Sequence, residues 1–400
     1  MSVMLNPEKR PKFPFGVIPF YICYYFQNAV YNGYFSLFLV SAGVLEQNIG
    51  YIMAFAPIVG MLMQSVWGQV GDRMKYKNIL LSLLTFGSAV ALLLGGFVNN
   101  TLWGFAIVCA YMFFQSALMP LMDAITLEAL DKGRYAYGPV RAVGTVSYMV
   151  ASYLIGLLLK DNYAIVPYIV ALFLALGLVA SFFMPRIEGH QHGKKQKTPM
   201  TALFKNKTLM ILIGFTMFNI CGFTHCSTYF SLYFKDLGAT SSLIGLANFL
   251  GPIGEIIFLP LGDKIFKKTG AATLTIIATS FMAVRALVIG ITTNLYVLLI
   301  TSALFGWCSM MMNFGMIKFI NMTIEDELKA SGQMLLNMAS FGVAKILGSL
   351  LSSVLVSFFG MRIPFFFSCG ICLLGLLIFV PIIMKNPELR NAGKDMEPAA

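Results

Sequence analysis

From Ile49 to Val70 no side chain carries a charge, and stretches of this kind recur from one end of the chain to the other. That recurrence constrains the fold more than any other feature. An apolar stretch of about 20 residues, wound as a helix, crosses a hydrocarbon layer of about 30 Å. Twelve spans are read, at 14–40, 47–70, 79–97, 102–130, 138–159, 163–184, 208–234, 241–262, 270–292, 294–322, 331–359 and 362–384. The first is not expected to be a cleavable leader, because it lacks a short apolar core with a small-residue cleavage site and further spans come after it. Only 11% of the 400 residues are charged and 58% are hydrophobic, too few charges to cover a surface facing water. Barrel strands would be shorter and would alternate, which these runs do not. The expected fold is all-α, a polytopic membrane protein of twelve helices.

The bases indicate orientation. With the N-terminus placed inside, most of the 28 Lys and Arg fall in loops on the inner side, and the opposite face holds only Lys160, Lys235 and Arg362. This asymmetry expects both termini in the cytoplasm and the protein in the cytoplasmic (inner) membrane. The net charge of +11 is then an orientation signal with anionic-lipid contact, and no nucleic-acid footprint is read. The seven cysteines, at 23, 109, 221, 226, 308, 369 and 372, lie mostly inside spans and read as packing residues. With three histidines, two of them between spans, no metal and no cofactor is expected. No nucleophile–base set is spaced for an enzyme.

An internal repeat organises the chain. YFSLFL at 34–39 returns as YFSLYF at 229–234, and at the same spacing Ile49-Gly50 returns as Ile244-Gly245 and Pro57-Ile58 as Pro252-Ile253. Span 1 therefore matches span 7, and span 2 matches span 8. The division is a six-helix half at 1–184, a basic cytoplasmic linker at 185–207, and a second six-helix half with a short tail at 208–400. An even number of spans per copy makes the halves parallel, an organisation found in secondary transporters.

The stretch GQVGDRMKYK at 68–77 resembles the loop 2–3 signature of the major facilitator superfamily, with Gly68, Asp72, Arg73 and Lys77 matching. Lys75 stands where the pattern has its second glycine. The second half echoes the signature in LPLGDKIFKK at 259–268, through Gly262, Asp263, Lys264 and Lys268. The resemblance implies a latch between halves that is made in one conformation and broken in another; a charge cluster that merely stops translocation is the plainer reading. PLMDA with YGPVRAVGTVSY, GEIIF and FMAVRALVIG resemble the branch that includes lactose permease and the nucleoside and phenylpropionate proton symporters. That resemblance implies sugar-type substrate contacts for Asp123 and Arg141. The branch's Lys, His and Glu cluster on span 10 has no counterpart in ALFGWCSMMMNFGMIKF.

Ionisable groups at membrane depth cost roughly 2.5–3.5 kcal/mol each on insertion scales and so are candidates for function. Here they are Asp123, Arg141, His225, Glu255, Arg285, Lys318 and Lys345, with Glu128 nearer the end of its span. Signs suggest pairing of Asp123 with Arg141 and of Glu255 with Arg285, either as static braces or as parts that separate. Proton coupling is expected at Glu255, Arg285, Asp123 and His225, since a carboxylate alternating between wet and closed surroundings takes and releases a proton. Substrate contacts are expected from Tyr24, Gln27, Asn28 and Tyr31 on one face of span 1, from Asp123 and Arg141, from Asn219 and His225 on span 7, and from Lys345. The expected function is proton-coupled uptake of a small polar solute (a sugar, glycoside, nucleoside or small aromatic acid) by a monomer. The alternative is proton-driven efflux on the same fold.

Overall fold

The structure is a computed structural model and describes residues 13–133, 135–187, 200–324 and 326–390. The Asp72 side chain and most of the 185–207 linker lie outside the described residues. The fold is all-α, and the apolar helices mark an integral membrane protein.

Many helix starts are local chemistry. The side chain of Asn100 accepts from Trp103 N at the head of α4 (Thr101–Gln115), and Asn206 accepts from Leu209 N at the head of α8 (Lys207–Asp236). Thr240 caps α9 (Ser241–Ile291) and Asn294 caps α10 (Leu295–Thr323) in the same way. Each cap satisfies backbone N–H groups that would otherwise lack acceptors.

Among the described residues ten helices are long and apolar enough to cross a membrane, two fewer than the twelve expected, and two helices bear on the difference. Helix α9, at 51 residues, is nearly twice the necessary length, and it breaks at Gly270, whose φ of +75° is left-handed and suits glycine. Helix α1 (Val17–Ser41) has 25 residues, ample for a crossing, but its tyrosines and amides make it less apolar than those ten.

The chain forms two compact units. The first collects residues 1–42, 59–152 and 162–194; the second collects 43–58, 153–161 and 195–400. Helix α2 (Glu46–Arg73) thus gives its first half to unit 2 and its second half to unit 1.

In unit 1, α7 (Val166–Ser181) packs along both α1 and α3 (Lys77–Gly95). The segment after α7 is tied to α3, because Ile187 N donates to Asn78 Oδ1 at 3.0 Å and Lys77 N donates to Ile187 O at 2.9 Å. Helices α5 (Leu118–Gly133) and α6 (Tyr137–Leu159) complete this unit's site.

In unit 2, α9 packs on α10 so closely that a Cβ on Gly306 would fall on the Gly251 carbonyl. Helix α13 (Pro364–Lys385) packs on α8 and α9. Between α11 (Asp326–Asn337) and α12 (Lys345–Phe359), residues Met338–Ala344 wind as a π-helix. The first half of α2 joins this unit through Gly50 N, which donates to Tyr229 OH at 2.8 Å, and through Ser353 Oγ, which donates to Gln47 O. The end of α6 joins through Asp161, whose Oδ1 accepts from Lys235 Nζ at 2.7 Å and from Ser241 Oγ at 2.8 Å.

Candidate functional site

In unit 1 the site grows from the aromatic face of α1. Tyr21, Tyr24, Tyr25 and Tyr31 are buried along it. Asp123 of α5 accepts from Tyr21 OH at 2.6 Å and from Tyr137 OH at 2.7 Å, both on Oδ1. Short hydrogen bonds to an ionised acceptor are the strong kind, and these two orient the carboxyl. Arg141 lies one turn beyond Tyr137 on α6, with its guanidinium 5.1 Å from the Tyr25 ring centroid. Gly144, on the same face, lies against that ring and leaves no room for a Cβ.

The expected ion pair between Asp123 and Arg141 is therefore not formed. Tyrosine hydroxyls take the carboxylate, and an aromatic face meets the guanidinium. Tyr137 belongs to the YGPVR stretch and Tyr21 lies one turn before Tyr24 and Tyr25, yet nothing local announces that both reach Asp123.

One turn further along α1, Gln27 Oε1 accepts from Tyr111 OH of α4 at 2.8 Å, and the rings of Tyr31 and Tyr111 lie 4.4 Å apart. The Gln27 Nε2, Tyr25 OH and Tyr31 OH atoms are buried with no hydrogen-bond partner among the described residues. Buried polar groups are nearly always paired, so such atoms ask for an explanation. Asn28 is half-exposed and accepts from Asn32 at 2.9 Å. Together these groups offer donors, an oriented carboxylate and ring faces, a combination able to hold a small polar ring.

Unit 2 treats its charges differently. Arg285, 4% exposed, donates from Nε to Thr301 O at 3.0 Å and lies 5.2 Å and 5.0 Å from the ring centroids of Phe230 and Phe305. It makes no ion pair with Glu255, contrary to the sign-based expectation, because two rings and a carbonyl already surround it. Glu255 is half-buried beside Gly306 of α10. Asn219 Nδ2 donates to Thr279 Oγ1 at 2.6 Å, so its amide is used between α8 and α9. The His225 ring stacks on Tyr229 at 5.0 Å and meets Phe365 edge-on at 4.6 Å. Its Nδ1 is buried without a partner among the described residues. Lys345 is half-buried at the start of α12.

At the ends of the spans, Lys77 Nζ lies 3.5 Å from Glu128 Oε2. Arg73 ends α2. Gly68 has open space where a side chain would stand, and Gly71 lies against Leu80. In the second repeat Asp263 pairs with Lys318 at 2.6 Å, while Lys264 and Lys268 are exposed. Among the described residues, acid–base contacts run from α3 to α5 in one repeat and from α9 to α10 in the other. Among the described residues no group of three His, Cys, Asp or Glu side chains is placed to hold a metal ion.

Comparison with known proteins agrees with this architecture. The chain is 26% identical over 275 residues to the maltose permease of Geobacillus stearothermophilus, covering 65% of this chain and 66% of that one. It is 25% identical over 297 residues to the probable 3-phenylpropionic acid transporter of Escherichia coli K12, covering 71% and 76%. Across such curated relatives the matched stretch spans from 56% to 87% of the relative's own length. Among solved structures, the nucleoside transporter NupG superposes with a TM-score of 0.83 over 93% of this chain and 99% of that one, at 16% identity, a likeness of fold. The sequence pattern of the MFS_1 like family matches residues 18–367. The chain belongs to the MFS_1 like family, within the major facilitator superfamily of membrane transporters.

Proposed function

We propose that this protein is a proton-coupled secondary transporter that takes up a small organic solute by alternating access of its two six-helix halves, 1–184 and 208–400. It works as a monomer in the cytoplasmic membrane with both termini inside. The observation that carries the reading is the unit 1 cluster, an oriented carboxylate on Asp123 beside the buried, unpartnered polar atoms of Gln27 and Tyr31. A purely structural core would not keep these groups at membrane depth, where each costs free energy. Similarity to a maltose permease and to a probable 3-phenylpropionic acid transporter supports import over efflux.

Glu255 is the coupling carboxylate of this reading. It lies on the second half's span 8, where a change of packing against α10 changes its exposure and hence its proton occupancy. The test uses protein reconstituted into vesicles holding a pH-sensitive dye. Solute addition should acidify the lumen of wild-type vesicles. Glu255→Gln should keep solute exchange while losing both uphill accumulation and proton uptake. Accumulation by Glu255→Gln that persists against a gradient would remove Glu255 from coupling, and accumulation driven by sodium alone would overturn the proton reading.

A further inference from the structure

The two halves differ in how their charges are balanced at membrane depth, and the second half has a surplus of positive charge. Within its spans the basic side chains are Arg285 and Lys345 and the acid is Glu255, while Lys318 is matched by Asp263 near the end of α10. Even with Glu255 assigned wholly to one cation, one positive charge remains. A cation in low dielectric persists when something compensates it. Arg285 has its two rings and a carbonyl, although its Nη1 is buried without a hydrogen-bond partner among the described residues. The Lys345 ammonium has no hydrogen bond or ion pair with any described residue.

Lys345 is not turned to the lipid. The outer stripe of α12 is Leu347, Leu351, Val354 and Phe358, all exposed. Lys345 falls on the opposite stripe, with Gly348, Ser349 and Ser352 at helical spacing. That stripe faces α8: a Cβ on Gly348 would stand 2.7 Å from Cys221 O. The hydroxyls of Ser349, 0% exposed, and Ser340, 1% exposed, flank Lys345 along the chain, and both are buried without a partner among the described residues. The π-helical turn Met338–Ala344 ends immediately before Lys345. Such turns shift the register of the residues after them and concentrate at functional sites.

We propose that the transported solute is an organic anion, and that Lys345, with Ser340 and Ser349 as hydroxyl donors, is where its anionic oxygens are held. This rests on the transporter reading and narrows its substrate class from polar solutes in general to those with a carboxylate- or phosphate-type group.

The test is a thermal-shift titration of the purified full chain with matched pairs, 3-phenylpropionate against 3-phenylpropanamide and uridine 5′-monophosphate against uridine, with maltose as a neutral sugar. Stabilisation follows mass action. The charged member of at least one pair should bind at least tenfold more tightly than its neutral partner. Lys345→Gln should lose at least tenfold of that affinity and Lys345→Arg should retain most of it. Without ligand, Lys345→Gln should melt no lower than wild type, because an uncompensated charge has been removed. The inference is overturned if neutral members bind as well as their anions, if no anion stabilises the protein, or if unliganded Lys345→Gln melts several degrees lower. A neutral solute that binds and still drives proton uptake would remove the anion assignment while leaving the transporter reading intact.

Discussion

Alanine at position 50 tests whether the contact of α2 with α12 belongs to one conformation or to the static fold. Gly50 lies in the first half of α2, and a Cβ there would stand 2.6 Å from Ser349 O, 2.8 Å from Ser353 Cβ and 2.8 Å from Tyr229 OH. Ordinary van der Waals contact begins near 3.4 Å, and the Ser349 carbonyl belongs to a helix backbone that cannot rotate away. Helices α2 and α12 must therefore part by roughly 0.8 Å, which also stretches the bond from Gly50 N to Tyr229 OH. Overpacking of this kind costs about 1–3 kcal/mol. If the contact exists in only one of two conformations, the cost falls on that conformation alone and shifts the equilibrium by about 5–150-fold. The control is Gly306→Ala, whose Cβ would fall on the Gly251 carbonyl within the α9–α10 pair and so penalise every conformation. The assay is alkylation of a single cysteine placed at Gln47, read beside thermal melting. Gly50→Ala should speed labelling by that factor with a modest loss of melting temperature, and Gly306→Ala should lower melting sharply. Gly50→Ala that melts as low as Gly306→Ala with unchanged labelling would refute the reasoning, since the contact would then be part of the static core.

Three further outcomes are expected. Asp123→Asn keeps an acceptor for the tyrosine hydroxyls but removes its charge, so solute binding measured by titration should weaken by about 1.5–3 kcal/mol while solute-induced proton uptake persists; loss of proton uptake with unchanged binding would move the coupling site to Asp123. Asp161, at φ +63° and anchored to Lys235 and Ser241, should tolerate asparagine, which accepts a left-handed backbone. Asp161→Ala should expose a cysteine at Ala239 several-fold faster, reflecting about 1–2 kcal/mol for a partly exposed cluster; equal rates for both variants would show that the Asp161 contacts do not hold this segment. Lys318→Met breaks the contact with Asp263, whose side chains are 38% and 66% exposed, so melting should move by no more than the equivalent of about 1 kcal/mol; a collapse of the fold would show a buried structural pair instead.

Hydropathy and local chemistry determined much of this protein from the sequence by itself. The apolar runs dictated membrane helices, because a backbone in lipid must satisfy its own hydrogen bonds. The caps at Asn100, Asn206, Thr240 and Asn294 and the break near Gly270 are readable because each acts within a few residues of itself. The Gly-Asp-Arg signature and its echo placed the chain in its superfamily for the same reason. Partnership was a different matter. Opposite signs on neighbouring spans suggested that Asp123 would meet Arg141 and Glu255 would meet Arg285, but a charge at membrane depth is also satisfied by hydroxyls, carbonyls and ring faces, and tertiary structure chose those. Tyr21 and Tyr137 reach Asp123 from two different helices, and no spacing along the chain encodes that meeting. The π-helical turn before Lys345 spans seven residues, too few for a change of period to emerge from the surrounding helical pattern. The division of α2 between two compact units likewise depends on which distant helices touch each half. Sequence specifies what each segment must bury, and only packing among segments decides against which neighbour it is buried.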